Sequence, residues 1–198
     1  MVSPVRTQDR LFTYRDYLGW GDDGRYELIN GVAYSMAPAP LIEHQELTGR
    51  IYGQLVTQLE GHPCRPFIAP VDVRLPKAQQ SDDEADTVVQ PDVFVVCDRD
   101  KIDARGVRGA PDFVVEVLLP ATAARDQIEK KKIYERAGVR EYWLVHPTDR
   151  LATIYRGSDA GYAAPEIIEL VGETPILAVS GVRISWEPIT RVLGPLVE

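Results

Sequence analysis

"PDFVVEVLLPATAARDQIEKKKIYERAGVREYWLVHP", residues 111–147, holds a carboxylate where none is expected. Glu116 stands inside a run of Phe, Val and Leu. A nearly all-apolar strand belongs in a sheet covered on both faces, so this run predicts a central strand. An ionised, unpaired carboxylate in such a place is strongly unfavourable, unless its pKa rises until it is neutral. A basic partner, a metal ion or a strand end open to water can each make it tolerable.

The neighbouring segments supply the frame. Thr122 can cap a helix running to about Ala137, with Gly138 as its stop. "EYWLVHP" (141–147) and "LATIYRG" (151–157) read as two strands around a Pro-Thr-Asp turn, with Tyr142 and Trp143 as core residues. Upstream, "PFIAPVDVRL" (66–75) and "TVVQPDVFVVC" (87–97) each read as a strand. "QQSDDEAD" (79–86), acidic and nearly devoid of apolar residues, predicts an exposed, mobile loop. "DRDKIDARGVRG" (98–109) reads as a further loop. Leu47, Ile51, Leu55 and Leu59 recur every four residues beside Tyr52 and Val56. They predict an amphipathic helix over 43–59, ended by Gly61 and Pro63. Tyr26–Ile29 and Val32–Met36 flank Asn30-Gly31, the signal of a tight β-hairpin. "TYRDYLGW" (13–20) suggests a short helix between Thr13 and Gly19. Weaker strand signals follow in "AAPEIIEL" and "GVRISW". The order of elements implies one domain over 1–198 of α/β or α+β class, a mixed sheet with flanking helices and an N-terminal β-hairpin.

Hydrophobic residues make up 44% of the 198 and charged residues 26%, which fits a globular chain with a sizeable core. No run approaches the roughly 20 apolar residues that span a bilayer. The first residues lack the apolar centre of a signal peptide, so the cytoplasm is the expected compartment. A net charge of -8 argues against coating nucleic acid by bulk charge. Any action on DNA must therefore be carried by a local site. Cys64 and Cys97 have no metal-ligand spacing, and each is expected to be a small buried or half-buried residue rather than half of a disulfide.

Asp92 shares the predicament of Glu116. It follows Pro91 and opens the apolar run Val93–Val96. If the two strands are neighbours, both carboxylates converge, and a divalent cation would relieve their repulsion; Mg²⁺ favours few carboxylates plus waters. Asp126, Lys130 and Tyr134 are spaced by four on the helix that follows Glu116, so they share one face. Lys130 could thus reach the carboxylates and steady a developing charge. The plainer alternative is a surface Asp-Lys pair and a structural Glu116 paired to an arginine. Asp112 repeats the Pro-Asp pattern, on the same strand as Glu116. His62 and His146 lie in turns, and Asp72 reads as structural. The chain has no Gly-rich phosphate loop and no Gly-x-Ser-x-Gly elbow.

The segments "QPDVFVV" and "APDFVVEVLLPATAARDQIEKKKIYERAGVREYWLVHP", with "YELINGVAYSMAPAPLIEHQ" before them, resemble the Uma-two family of the PD-(D/E)XK nuclease superfamily. The resemblance covers roughly residues 10–190. It implies a restriction-endonuclease-like core and a Mg²⁺- or Mn²⁺-dependent endonuclease that hydrolyses DNA. Asp92 would be the aspartate of the PD motif and Glu116 the acidic residue of the second motif, the two holding the metal. Superfamily geometry wants that aspartate on a different strand, which favours Asp92 over Asp112. Leu118 stands where the motif has lysine, and the basic role moves to Lys130, with Asp126 and Tyr134 beside it. Glu27 and His44 match recurrent family positions as secondary candidates. Leu119 departs from the family's usual serine. A homodimer with one site per strand would suit a duplex. The alternative is a catalytically inactive module that keeps the fold and binds nucleic acid or protein.

Overall fold

Asn30 and Gly31 turn the chain with φ of 48° and 80°, the left-handed backbone a two-residue hairpin requires. They join β1 (Tyr26–Ile29) to β2 (Val32–Ser35), as the sequence predicts. The computed structural model describes residues 10–21, 24–36, 41–118 and 125–193; the expected Thr122 cap and Leu119 lie outside them. Before the hairpin, α1 (Tyr14–Tyr17) starts where the Thr13 N–H and hydroxyl both donate to Asp16. After it, α2 (Ile42–Gln58) buries Leu47, Ile51 and Leu55 at four-residue spacing.

Two runs that read as single strands are each divided between two sheets. "PFIAPVDVRL" forms β3 (Arg65–Ile68) and β4 (Val73–Arg74), with Pro70 between them. "TVVQPDVFVVC" forms β5 (Val88–Val89) and β6 (Val93–Val96), with Pro91 between them. Proline has no N–H for a ladder, so strand pairing stops there. The segment expected to be a loop at 98–109 carries β7 (Ile102–Asp103) and β8 (Gly106–Arg108). Then come β9 (Phe113–Val117), a π-helical turn over Arg125–Lys130, α3 (Lys131–Ala137), β10 (Glu141–His146) and β11 (Leu151–Ser158). Gly138, at φ 88°, caps α3. The chain closes with β12 (Gly161–Tyr162), β13 (Glu166–Glu169), the hairpin of β14 (Glu173–Pro175) and β15 (Arg183–Ser185), and α4 (Glu187–Thr190).

The result is a mixed α+β architecture. One sheet runs β2-β1-β5-β4-β8-β7, and the other runs β12-β11-β10-β9-β6-β3 with β13 also paired to β11. In the second sheet β9 pairs parallel with β10 and antiparallel with β6. One face of that sheet packs on α2 and the C-terminal elements through Leu55, Val115, Trp143 and Trp186. The other face, with Phe94, Val114 and Leu144, meets Val89 and Val107 of the first sheet and Ile133 of α3. No described helix is long and apolar enough to cross a membrane.

Two further expectations are overturned. The acidic stretch is not a loose loop, because Asp82 accepts from Arg74, Arg105 and Arg108 together. Arg74 is fully buried, and its other terminal nitrogen reaches Asp103 at 2.6 Å. A buried guanidinium needs such partners, and the acidic residues supply them. Cys64 and Cys97 are disulfide-bonded. The β3–β6 register, Arg65 opposite Val96, sets the two cysteines opposite each other, which a separation of 33 residues does not reveal.

Candidate active site

Gln90, Pro91 and Asp92 carry the chain from β5 of one sheet to β6 of the other. The register Val93 opposite Val115 brings Asp92 level with Glu116 on the neighbouring strand. Because side chains alternate along a strand, Glu116 shares with Val114 the face that looks toward the first sheet. The predicted convergence of the two carboxylates therefore rests on an antiparallel ladder.

Glu116 is 3% exposed. Its Oε1 accepts from Lys130 Nζ at 3.0 Å and from the Tyr134 hydroxyl at 2.8 Å. Lys130 Nζ is also 2.9 Å from Glu27 Oε1 and 3.4 Å from Asp126 Oδ1. The helix does present Asp126, Lys130 and Tyr134 on one side, although its first turn is π-helical. Asp92 Oδ2 accepts from the Val117 N–H at 2.8 Å and lies 3.1 Å from His44 Nε2. Thr48, one turn along α2, stands beside His44 Nδ1 at 3.4 Å.

Thus one ammonium serves three buried carboxylates, with a fourth on the adjoining strand. Burial pushes the Glu116 carboxyl well above its ordinary range; Lys130 opposes the rise, while Asp92, Asp126 and Glu27 add to it. For Lys130, burial works against the charge, but Glu116, Glu27 and Asp126 outweigh it and hold the ammonium well above the usual amine range. Burial, then the charges of Glu116 and Glu27, raise the Tyr134 hydroxyl, which stays a donor. The cluster carries more negative charge than its one lysine balances, so a proton or a further cation would settle it.

Among the described residues, no group of three or more His, Cys, Asp or Glu side chains is gathered to hold a metal. Asp92 and Glu116 form a pair, and Mg²⁺ is commonly held by one or two carboxylates while keeping several waters. The donor chemistry thus fits a hard cation, whereas a zinc centre would ask for more protein ligands.

All seven candidates fall into two linked groups: Glu27, Glu116, Asp126, Lys130 and Tyr134 around one ammonium, and Asp92 with His44 beside them. Asp112 lies at the other end of β9, accepting from the Cys97 N–H and Arg140. Asp72 accepts from Tyr17 and Gln90 away from the cluster. The sequence reading missed Gln90, whose N–H donates to Glu27 Oε1 at 3.0 Å. It also missed the second function of Tyr142, whose hydroxyl donates to the Asp126 carbonyl. The "QPD" spacing that placed Asp92 could have exposed Gln90 as well.

A Synechocystis sp. (strain ATCC 27184 / PCC 6803 / Kazusa) protein named "Uncharacterized protein slr1290" is 27% identical over 165 residues, 78% of this chain and 82% of that one. The fold resembles a crystal structure titled as a "putative nuclease belonging to DUF820" from Anabaena variabilis ATCC 29413. Its TM-score is 0.71 at 17% identity, covering 91% of this chain and 98% of that one. The model of the Uma2 family, described as "Putative restriction endonuclease", matches residues 13–187, and so the chain belongs to the Uma2 family.

Proposed function

We propose that this protein is a Mg²⁺- or Mn²⁺-dependent endonuclease that hydrolyses DNA phosphodiester bonds. The observation that carries the reading is Lys130, buried and charged, held between Glu116 and Glu27 beside Asp92. Asp92 and Glu116 are the residues that would hold the ion. When bound, such an ion supplies a Lewis acid for the scissile phosphate and lowers the pKa of a bound water. Lys130 keeps a positive charge where a phosphoryl oxygen gains negative charge. Tyr134 fixes the direction of the Glu116 carboxylate through its 2.8 Å hydrogen bond. His44 does the same for Asp92. Glu27 and Asp126 keep the lysine protonated. A cytoplasmic homodimer is the assembly this reading suggests.

A second reading keeps the fold without the reaction, as a module binding nucleic acid or protein. It is favoured by the same ammonium being already engaged by three carboxylates. The two part on metal and cleavage. Calorimetry with Mn²⁺ should give binding for the wild type and none for Asp92→Ala. Supercoiled plasmid should be nicked in Mg²⁺ or Mn²⁺, and Glu116→Ala should stop it. Nicking that survives Glu116→Ala would sink the nuclease reading.

A further inference from the structure

Gln90 faces two ways. Its N–H donates inward to Glu27, while its side chain points outward to Tyr17, Asp72 and Arg25. There it separates two hollows, one of about 490 Å³ and one of about 450 Å³, both lined by Tyr17 and Gln90. The second hollow is aromatic. Trp20 packs 5.5 Å from Tyr17 and 5.3 Å from Tyr26, ring centre to ring centre, and all three rings are half-buried. Arg25 is the one charged side chain lining that hollow among the described residues. Its Nε and one terminal nitrogen donate to Gln90 Oε1 at 3.2 and 2.7 Å, which holds the guanidinium at the rim.

Half-buried aromatic rings with a fixed guanidinium are the chemistry that accepts an unpaired base: stacking on π-faces, with cationic help for the strand's charge. A duplex keeps its bases stacked and offers no such face. The hollow is also close to the candidate centre, since two residues, Gln90 and Pro91, precede Asp92 and an extended chain advances only about 3.3–3.6 Å per residue. We propose that the Tyr17–Trp20–Tyr26 hollow binds an unpaired nucleobase of the DNA strand under attack, so that the preferred substrate is single-stranded or locally opened DNA. The inference rests on the reading of the chain as a DNA nuclease.

Tryptophan fluorescence gives a direct test. Trp143 and Trp186 are wholly buried, so a ligand stacking at the surface changes Trp20. The 198-residue chain is titrated in EDTA with a ten-nucleotide single strand and with a hairpin duplex. Saturable quenching by the single strand, weaker with the duplex, is expected. Affinity measured independently by anisotropy of a labelled single strand should fall about tenfold in Trp20→Leu and in Arg25→Ala. Arg25 is exposed, so that variant keeps the test informative if Trp20→Leu folds poorly. Undiminished affinity in both variants, binding without quenching, or no binding of the single strand overturns the proposal. Cleavage is scored separately with Mg²⁺. Quenching without cleavage supports the hollow and sinks the catalytic reading alone; cleavage without quenching sinks the hollow alone.

Discussion

The Lys130 ammonium lies 2.9 Å from the Glu27 carboxylate, both side chains almost fully buried, so one ion pair ties the helix after β9 to the first strand of the other sheet. Breaking a buried pair by removing one partner is far more costly than replacing both, because a charge is left without compensation. Lys130→Met should therefore lower stability by about 3–5 kcal/mol. Urea unfolding at neutral pH checks this. A loss under about 1 kcal/mol would mean that removing the ammonium leaves no buried charge uncompensated.

The raised Glu116 carboxyl has a consequence for pH. A carboxyl whose pKa is higher folded than unfolded binds its proton more tightly in the native state. Its contribution is complete below its ordinary pKa of 4.5 and is lost as pH rises toward its folded value. Glu116→Gln, a fixed mimic of the neutral form, lacks that loss. The stability of the variant relative to the wild type should thus increase as pH is raised above 4.5. A difference independent of pH would show that Glu116 titrates as an ordinary glutamate.

Asp92 has a structural duty apart from any metal. Its Oδ2 accepts from the Val117 N–H, so Asp92→Ala strands a backbone donor at the end of β9 and should cost about 1–3 kcal/mol. Asp92→Asn keeps an acceptor there and should retain most of that stability. Under the proposed function it nevertheless loses Mn²⁺ binding. Thermal unfolding and calorimetry on the two variants separate the roles; full Mn²⁺ affinity in Asp92→Asn would remove Asp92 from the ion's ligands.

The arginines around Asp82 differ in burial. Arg74 is inaccessible and pairs with both Asp82 and Asp103, whereas Arg108 is exposed. Arg74→Met should cost about 1–3 kcal/mol, because it removes the buried guanidinium's hydrogen bonds to Asp82 and Asp103, although Asp82 keeps Arg105 and Arg108 and Asp103 stays open to water. Arg108→Ala should cost less than about 1 kcal/mol. Tryptic cleavage after Lys77 should accelerate in the first variant only, since Arg74 anchors the acidic segment that follows.

Local chemistry was readable in the sequence where contacts are local. Asn30-Gly31 announces its own backbone, and the four-residue recurrence of Leu47, Ile51 and Leu55 announces α2. Asp126, Lys130 and Tyr134 are neighbours through helical spacing, so their shared side was legible too. The run from Thr87 to Cys97 was not, because alternation within a strand says nothing about which sheet each half joins. Glu27 was flagged only through resemblance: its partner Lys130 lies far along the chain, and no short-range pattern links them. The Cys64–Cys97 bond escaped for the same reason, since it follows from the register of β3 on β6. The acidic stretch reads as solvated because nothing in its own residues reveals Arg74, whose buried charge draws Asp82 in.

The Gln90–Pro91–Asp92 crossing acts as a ruler of fixed length. On one side it positions an amide against Glu27, and on the other a carboxylate level with Glu116. A strand turns each side chain to the opposite face at every step. One residue inserted between Val89 and Val93 would therefore send either Asp92 or the whole of β6 to the wrong face, exchanging Phe94 and Val95 between two cores. Length variation is thus barred from these three residues, while the exposed Thr148–Asp149 turn between β10 and β11 can absorb it.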